Sequence, residues 1–119
     1  MQADPTLRKQ PIRKPRRGPA DHLREALREL SNGQGELLSH AEKPWASITF
    51  SGSRHTLRYA FRGAEAVSAA EDLIDVLPEH EFTIPGQLVA DATVTEVAHT
   101  LLPSPRMEVT LEVLLLEDA

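Results

Sequence analysis

The 119-residue sequence predicts an α+β fold of the two-layer sandwich type, with a mostly antiparallel four-stranded sheet and two helices on one face. Three observations lead to this prediction. Two segments place apolar residues at helical spacing, two longer segments alternate apolar and polar residues as strands do, and glycine or proline separates them. The predicted order is α-β-β-α-β-β, which buries every apolar stripe between the helices and the sheet.

The first 19 residues differ in composition from the rest, and they are predicted to form a disordered arm ahead of a single domain over residues 20–119. This basic arm contains four prolines and few large apolar side chains, so burial does not offset its ordering entropy. Its net charge is +5 and that of residues 20–119 is −10, so the overall charge of −5 describes neither part. The cations of the basic arm are Arg8, Lys9, Arg13, Lys14, Arg16 and Arg17.

The first helix is predicted to begin at Asp21, a residue type that caps helix N-termini, and to stop at Asn32-Gly33. A connection that contains Leu37 and Leu38 follows and closes at Lys43-Pro44. The apolar stripe of the helix consists of Leu23, Ala26, Leu27 and Leu30.

The clearest element is a β-hairpin over residues 45–62, with Gly52-Ser53 as a two-residue type II′ turn. In this register Phe50 lies opposite His55 and Ala46 opposite Tyr59, so the apolar residues share one face. The other face carries an arginine at every fourth position of the second strand, with Trp45 near the last two of them. This arginine row consists of Arg54, Arg58 and Arg62.

A second helix is predicted over residues 64–77, before Pro78, and Pro85-Gly86 predicts a type II turn. A second hairpin follows, with a turn at residues 103–105 and a β-bulge near Thr95-Glu96, where the apolar alternation changes face. The last strand is apolar on both faces at residues 114–116, which predicts a covering layer or a second subunit there. The inner positions expected before the bulge are Leu88, Ala90, Ala92 and Val94.

The composition excludes several classes of site and location. The chain has no cysteine, which excludes disulfides, thiolate metal sites and cysteine nucleophiles. No stretch reaches the roughly 18 apolar residues of a membrane span, and no apolar run follows the basic residues as in a secretory signal. We therefore expect a cytoplasmic protein without a transmembrane segment. Arginine outnumbers lysine ten to three, which favours a GC-rich bacterial genome.

The arginine row has two interpretations. With Trp45 beside it, the row is suited to an anionic ligand, a nucleic-acid strand or an acidic partner. Alternatively, if the two hairpins are neighbours in the sheet, the row neutralises glutamates on the outer face of the second hairpin, where Glu96 would face Glu112. Those glutamates are Glu96, Glu108 and Glu112. The cations of the basic arm also have two interpretations. They contact phosphates, either of nucleic acid or of an anionic membrane surface, or they belong to a solvated tail.

Three further residues, His55, Tyr59 and His99, fall on predicted inner faces and are candidates for a ligand pocket between the sheet and the helices. Histidine spacings typical of metal sites, such as HxH or HExxH, are absent from the sequence, so no metal site is predicted. Because no nucleophile elbow or phosphate-binding loop is present either, we predict no catalytic residues and no cofactor.

These observations favour a small non-enzymatic binding or interaction module that associates with itself or with another protein. Two alternatives stay open. One is a nucleic-acid-associated accessory protein that uses the basic arm, and the other is a small ligand-binding protein or enzyme with a pocket between the sheet and the helices.

Overall fold

The computed structural model describes residues 17–118. Its elements follow in the order α-β-β-α-β-β, which confirms the predicted α+β class. A short 3-10 helix at Leu77–Glu79 extends the second helix. The bounds of the helices and strands are α1 Pro19–Leu30, β1 Glu36–Ala46, β2 Ser51–Arg62, α2 Ala64–Val76, β3 Gln87–Thr100 and β4 Arg106–Glu117.

The four strands form one antiparallel sheet in the order β1-β2-β4-β3, so β2 and β4 are central and β1 and β3 are edges. Both helices pack on the same face of this sheet, which we call the inner face, and the opposite face is the outer face. The predicted layer arrangement is therefore confirmed. The hairpins are neighbours because β2 pairs with β4 along its whole length.

The core lies between the inner face and the helices, and the alternation of the central strands explains it. Odd-numbered residues of β2 and β4 point to the helices, and those of β4 from Met107 to Leu115 are all buried. The stripe of α1 contributes Leu23 and Leu27, while α2 contributes Val67 and Leu73 among others. Each such leucine contributes about 1.5–3 kcal/mol to folding through its burial.

The first hairpin differs from its prediction in register. Residues 36–46, expected to be mostly a connection, form the edge strand β1, and Ala46 pairs with Ser51 across a tight turn at residues 47–50. In that turn the Ser47 backbone N–H donates to the carbonyl oxygen of Phe50 at 2.7 Å. The predicted opposition of Ala46 and Tyr59 is therefore wrong, because Tyr59 lies opposite Leu37.

Gly52 stands inside β2 and not in a turn, and its neighbour on β4 explains why it is glycine. A Cβ atom built on Gly52 would lie 1.9 Å from the backbone oxygen of Leu115. The glycine thus allows the backbones of the two central strands to approach closely, which is a requirement of tertiary structure and not of turn geometry.

The edge strand β3 contains two irregularities where the prediction had one. The pairing with β4 shifts between Val94 and Glu96, which confirms the predicted bulge, and it shifts again between Val89 and Asp91. Because of this earlier bulge, Val89 packs against the core, and Leu88 lies on the outer face with 50% exposure, contrary to prediction. The edge strand β1 has a comparable shift between Leu37 and Ser39.

The ends of α1 are set by local contacts. Helix α1 begins two residues before the predicted cap, and Asp21 lies in its first turn, where its carboxylate accepts the Gly18 backbone N–H at 3.0 Å. At the other end Asn32 and Gly33 both have positive φ, and the Gly33 N–H donates to the Arg28 carbonyl at 2.8 Å, as in a Schellman motif. Within residues 17–118, no helix is long and apolar enough to cross a membrane.

Candidate functional site

The outer face is the largest surface that the fold leaves without a covering layer. Across residues 17–118, both helices contribute to the core on the inner face, and neither packs on the outer one. The outer face therefore presents side chains from all four strands to solvent. Its composition is mixed: alanines and threonines alternate with charged residues over most of its length, and one end is apolar.

The arginine row lies on the outer face, as its spacing predicts, and ion pairs engage each member. The guanidinium of Arg54 lies 3.6 Å from the carboxylate of Glu112, and that of Arg58 lies 2.9 Å from Glu108. Arg62 pairs with Glu36 on β1. The pairs of Arg54 and Arg58 are those that the second interpretation of the row expected, whereas Arg62 pairs within the first hairpin and none of the three pairs involves Glu96. Each exposed pair contributes only about 0–1 kcal/mol to stability.

Glu108 has a second cationic partner and is the most strongly held carboxylate of the outer face. Hydrogen bonds from Arg106, at 2.5 Å, and from Arg58 lower the pKa of Glu108 below its ordinary value. The expected face-to-face contact of Glu96 and Glu112 does not occur, because the bulge shifts Glu96 opposite Thr110 and places Thr93 opposite Glu112.

An apolar row crosses the whole sheet at the end next to the turn at residues 47–50. In it Trp45 pairs with Gly52, Gly52 with Leu116, and Leu116 with Leu88. Leu88 is 50% exposed, and the turn beside the row exposes Ile48 and Phe50. The predicted proximity of Trp45 to Arg58 is wrong, since Arg58 lies six positions farther along β2, about 20 Å away at the rise of a strand.

Charge on the outer face is segregated by strand. In the three rows that follow the apolar row, β1 and β2 carry only cationic charges, and β3 and β4 carry only anionic ones. The cations are Lys43, Arg54 and Arg58, and the anions are Asp91, Glu96 and Glu112. In these three rows the β1–β2 side is thus positive and the β4–β3 side negative, whereas in the rows beyond them Glu36 lies on β1 and Arg106 on β4.

A chain of hydrogen bonds runs through the polar part of the interior, between α1 and the strands β1 and β2. The Arg24 guanidinium lies 2.8 Å from Nδ1 of His40, and Nε2 of His40 lies 2.8 Å from Nδ1 of His55. Nε2 of His55 lies 2.8 Å from the Ser53 hydroxyl. Asp21 accepts a hydrogen bond from the other side of the Arg24 guanidinium at 2.5 Å. The side chain of His55 is completely buried.

Arg24 fixes the direction of this histidine chain because a guanidinium only donates. His40 must accept at Nδ1, so its neutral ring carries the proton on Nε2 and donates it to His55. By the same reasoning His55 accepts at Nδ1 and donates from Nε2 to the oxygen of Ser53. A histidine that activates a serine must instead accept the serine proton at that nitrogen, so the chain runs opposite to nucleophilic activation.

Burial keeps both rings of the chain neutral. Desolvation lowers the pKa of His40, and the neighbouring His55 and Arg24 lower it further. Desolvation also lowers the pKa of His55, with a smaller opposing effect of Glu42, which lies across from it on β1. His40 was not recognised in the sequence, because its segment has no apolar alternation that would mark a strand.

The three residues of the predicted pocket do not come together. Tyr59 is buried, its pKa raised by desolvation to about 12, and it borders a small cleft of about 190 Å³ beside Arg24 and Leu37. His99 is exposed on β3 opposite Met107, whereas His55 lies opposite Val113. Six positions of β4 therefore separate the two histidines, or about 20 Å.

Ser53 opens onto a shallow cleft of about 500 Å³ at the end of the sheet, which Glu42, Glu117 and Gln87 also line. Over residues 17–118, no group of three or more histidines or carboxylates is arranged to hold a metal ion. Of the cations of the basic arm, only Arg17 is described, and its guanidinium lies 3.8 Å from the carboxylate of Glu25. The predicted phosphate contacts at Arg8, Lys9, Arg13, Lys14 and Arg16 lie outside the described residues.

Comparison of the chain with protein-family models gives no match, and comparison with curated proteins gives none either. The outer face and the histidine chain are the features that discriminate between the candidate functions.

Proposed function

We propose that the protein is a non-catalytic interaction module that associates with itself through the outer face of its sheet. The observation that carries this proposal is the apolar row, which spans all four strands on a face that neither helix covers. At this end of the sheet Leu88, Ile48 and Phe50 are exposed, whereas Leu116 within the row is 9% exposed. Exposed apolar surface bordered by polar residues is typical of association sites. The apolar residues 114–116 of the sequence belong to this end of the sheet.

The histidine chain supports a non-catalytic role. Ser53 is the one hydroxyl that contacts a buried histidine among residues 17–118, and its oxygen accepts a hydrogen bond from His55 instead of donating one. Over the described residues 17–118, no group of three or more histidines or carboxylates that could hold a metal ion accompanies Ser53. The cytoplasmic location expected from the sequence stays a prediction.

Self-association is testable because Trp45 is the single tryptophan of the chain and lies in the apolar row. Sedimentation velocity of the full chain over a range of concentrations is expected to show a dimer that dissociates on dilution. Trp45 emission should shift to the red over the same range, and acrylamide should quench it more strongly as the dimer dissociates, since the indole gains water contact.

A matched pair of variants separates the outer face from general surface effects. Leu88→Glu places a charge in the apolar row, whereas Val76→Glu places the same charge at a residue of similar exposure, 43%, on α2. We expect Leu88→Glu to raise the dissociation constant roughly tenfold or more, and Val76→Glu to leave it unchanged. A chain that sediments as a monomer at high concentration, or equal effects of the two variants, would contradict the proposal.

Nucleic-acid binding through the basic arm is the second candidate, favoured by the net charge of +5 on residues 1–19. It predicts DNA or RNA binding by the full chain that weakens steeply as salt rises. Replacing Arg13, Lys14 and Arg16 by glutamine should abolish the binding, whereas replacing Arg54 by glutamine should not, because Arg54 is paired with Glu112. Absence of binding to DNA and RNA at low salt would eliminate this function.

A further inference from the structure

We propose that the partner on the outer face is a second copy of this chain, related by a two-fold axis that lies between the two sheets and runs parallel to the strands. The inference rests on the proposed function and specifies its geometry. Rotation about such an axis reverses the order of the strands but keeps each row at its height along the sheet. Strand β1 then lies over β3 of the partner subunit, and β2 lies over the partner subunit's β4.

The segregation of charge selects this axis. With the axis parallel to the strands, the cationic side of these three rows lies over the anionic side of the other copy, so that Lys43 faces the partner's Asp91. Beyond these rows Arg62 faces the partner's Arg106, and each of these arginines is paired with a glutamate of its own sheet. An in-plane axis perpendicular to the strands would instead place β1 and β2 over the same strands of the second copy. With that axis through the row of Thr56, Arg54 would lie over the partner's Arg58 and Asp91 over the partner's Glu96, which is unfavourable.

The apolar row is self-complementary under the same rotation. Trp45 at one edge meets the partner's Leu88, which comes from the other edge. At the centre of the row Leu116, which is 9% exposed, lies over the partner's Gly52. A large residue therefore faces a small one at the centre of the row, and two large residues close each side, which is the arrangement that close packing of two sheets needs.

The area of the outer face is sufficient for a specific dimer. Four strands at the usual spacing are about 19 Å wide, and the 11 residues of β1 span about 36 Å. The face thus covers about 700 Å² on each copy, or about 1,400 Å² in total, which is the size of a standard specific interface. The ion pairs within each sheet already neutralise the arginine row, so the row brings no unpaired guanidinium into the interface.

Thiol cross-linking tests the axis, because the chain has no cysteine of its own. Ala41 and Thr93 are exposed residues at the two ends of one central row, joined through Thr56 and Glu112. The proposed dimer places Ala41 over the partner's Thr93 at the distance between packed sheets, about 10 Å, whereas Ala41 and the partner's Ala41 are about 17 Å apart. The test uses the variants Ala41→Cys and Thr93→Cys, which are prepared separately, and a bis-maleimide cross-linker that spans about 10 Å.

A mixture of the two variants is expected to give cross-linked dimers between positions 41 and 93, at several times the yield of either variant alone. Sedimentation of both variants before cross-linking shows whether they are dimers. A wrong axis can then be told apart from a failure to self-associate. Efficient cross-linking of Ala41→Cys to itself in a dimeric sample would overturn the parallel axis and leave self-association standing. A dimeric sample without any cross-link would exclude the outer face as the interface. A monomeric sample would overturn the proposed function together with this geometry.

Discussion

Replacing Gly52 by alanine will lower the free energy of unfolding by about 3 kcal/mol or more, because the new methyl group has no space between the two central strands. Its Cβ atom would lie 1.9 Å from the backbone oxygen of Leu115, and backbone atoms cannot rotate away as a flexible side chain can. The strands β2 and β4 would have to separate, which disturbs the core pairs on both sides. Urea unfolding at one fixed protein concentration, followed by circular dichroism, measures the loss.

Gly18→Ala is the matched control for this substitution. Gly18 has φ of −99° and no atom within 4 Å of a Cβ built on it, so the same methyl group should cost less than about 1 kcal/mol there. A Gly52→Ala variant as stable as Gly18→Ala would contradict the close approach of the central strands.

Acidification below about pH 6.5 will destabilise the fold through the histidine chain. In the unfolded chain both His40 and His55 take up a proton near their ordinary pKa, whereas burial lowers the pKa of both in the folded protein. Their contribution to stability is therefore complete above that pH and is lost as pH falls towards the folded pKa values. If unfolding takes up two protons, the free energy of unfolding falls by at most about 2.7 kcal/mol for each pH unit of acidification. The charge of Arg24 lowers the pKa of both histidines further, and the charge of Glu42 opposes this lowering.

The free energy of unfolding between pH 7.5 and 5.5 measures this loss, and His40→Gln provides the control. Glutamine can accept from Arg24 through its oxygen and donate to His55 through its nitrogen, so it keeps the direction of the chain without a titrating ring. We expect the pH slope of this variant to be about half that of the original chain. Equal stability of the original chain at pH 7.5 and 5.5 would contradict the chemistry derived for the two histidines.

The fold class and the inner residues of the central strands were predictable because their apolar alternation is regular. From His55 to Phe61, the inward residues are those that the pattern indicates, and the arginine row faces outwards as expected. The position of the first hairpin's turn was not predictable. A glycine followed by serine between two alternating segments is typical of a hairpin turn, and this pattern pointed to Gly52-Ser53 instead of residues 47–50. The actual reason for Gly52 is its contact with β4, a strand that lies more than fifty residues away in sequence.

Strand β1 was missed for a related reason. Its inward positions include His40, Glu42 and Pro44, and this pattern carries no apolar period. His40 is accommodated because it meets Arg24 on α1 instead of the apolar core, and Glu42 and Pro44 are exposed. The sequence suggested ion pairs on the outer face as one of two interpretations of the arginine row. Only the structure establishes them, because it shows that β2 and β4 are neighbours in the sheet.

The bulges in the two edge strands restrict how this sheet can grow. Another strand can join the edge of a sheet only where the edge offers a regular row of free backbone groups. Both edges of this sheet interrupt that row: β1 has a bulge between Leu37 and Ser39, and β3 has bulges at two places. Sideways addition of further copies, the route to fibrils, is therefore disfavoured at both ends. If copies associate through the outer face as proposed, the interrupted edges restrict them to closed pairs, so added protein should give more dimers and not longer assemblies.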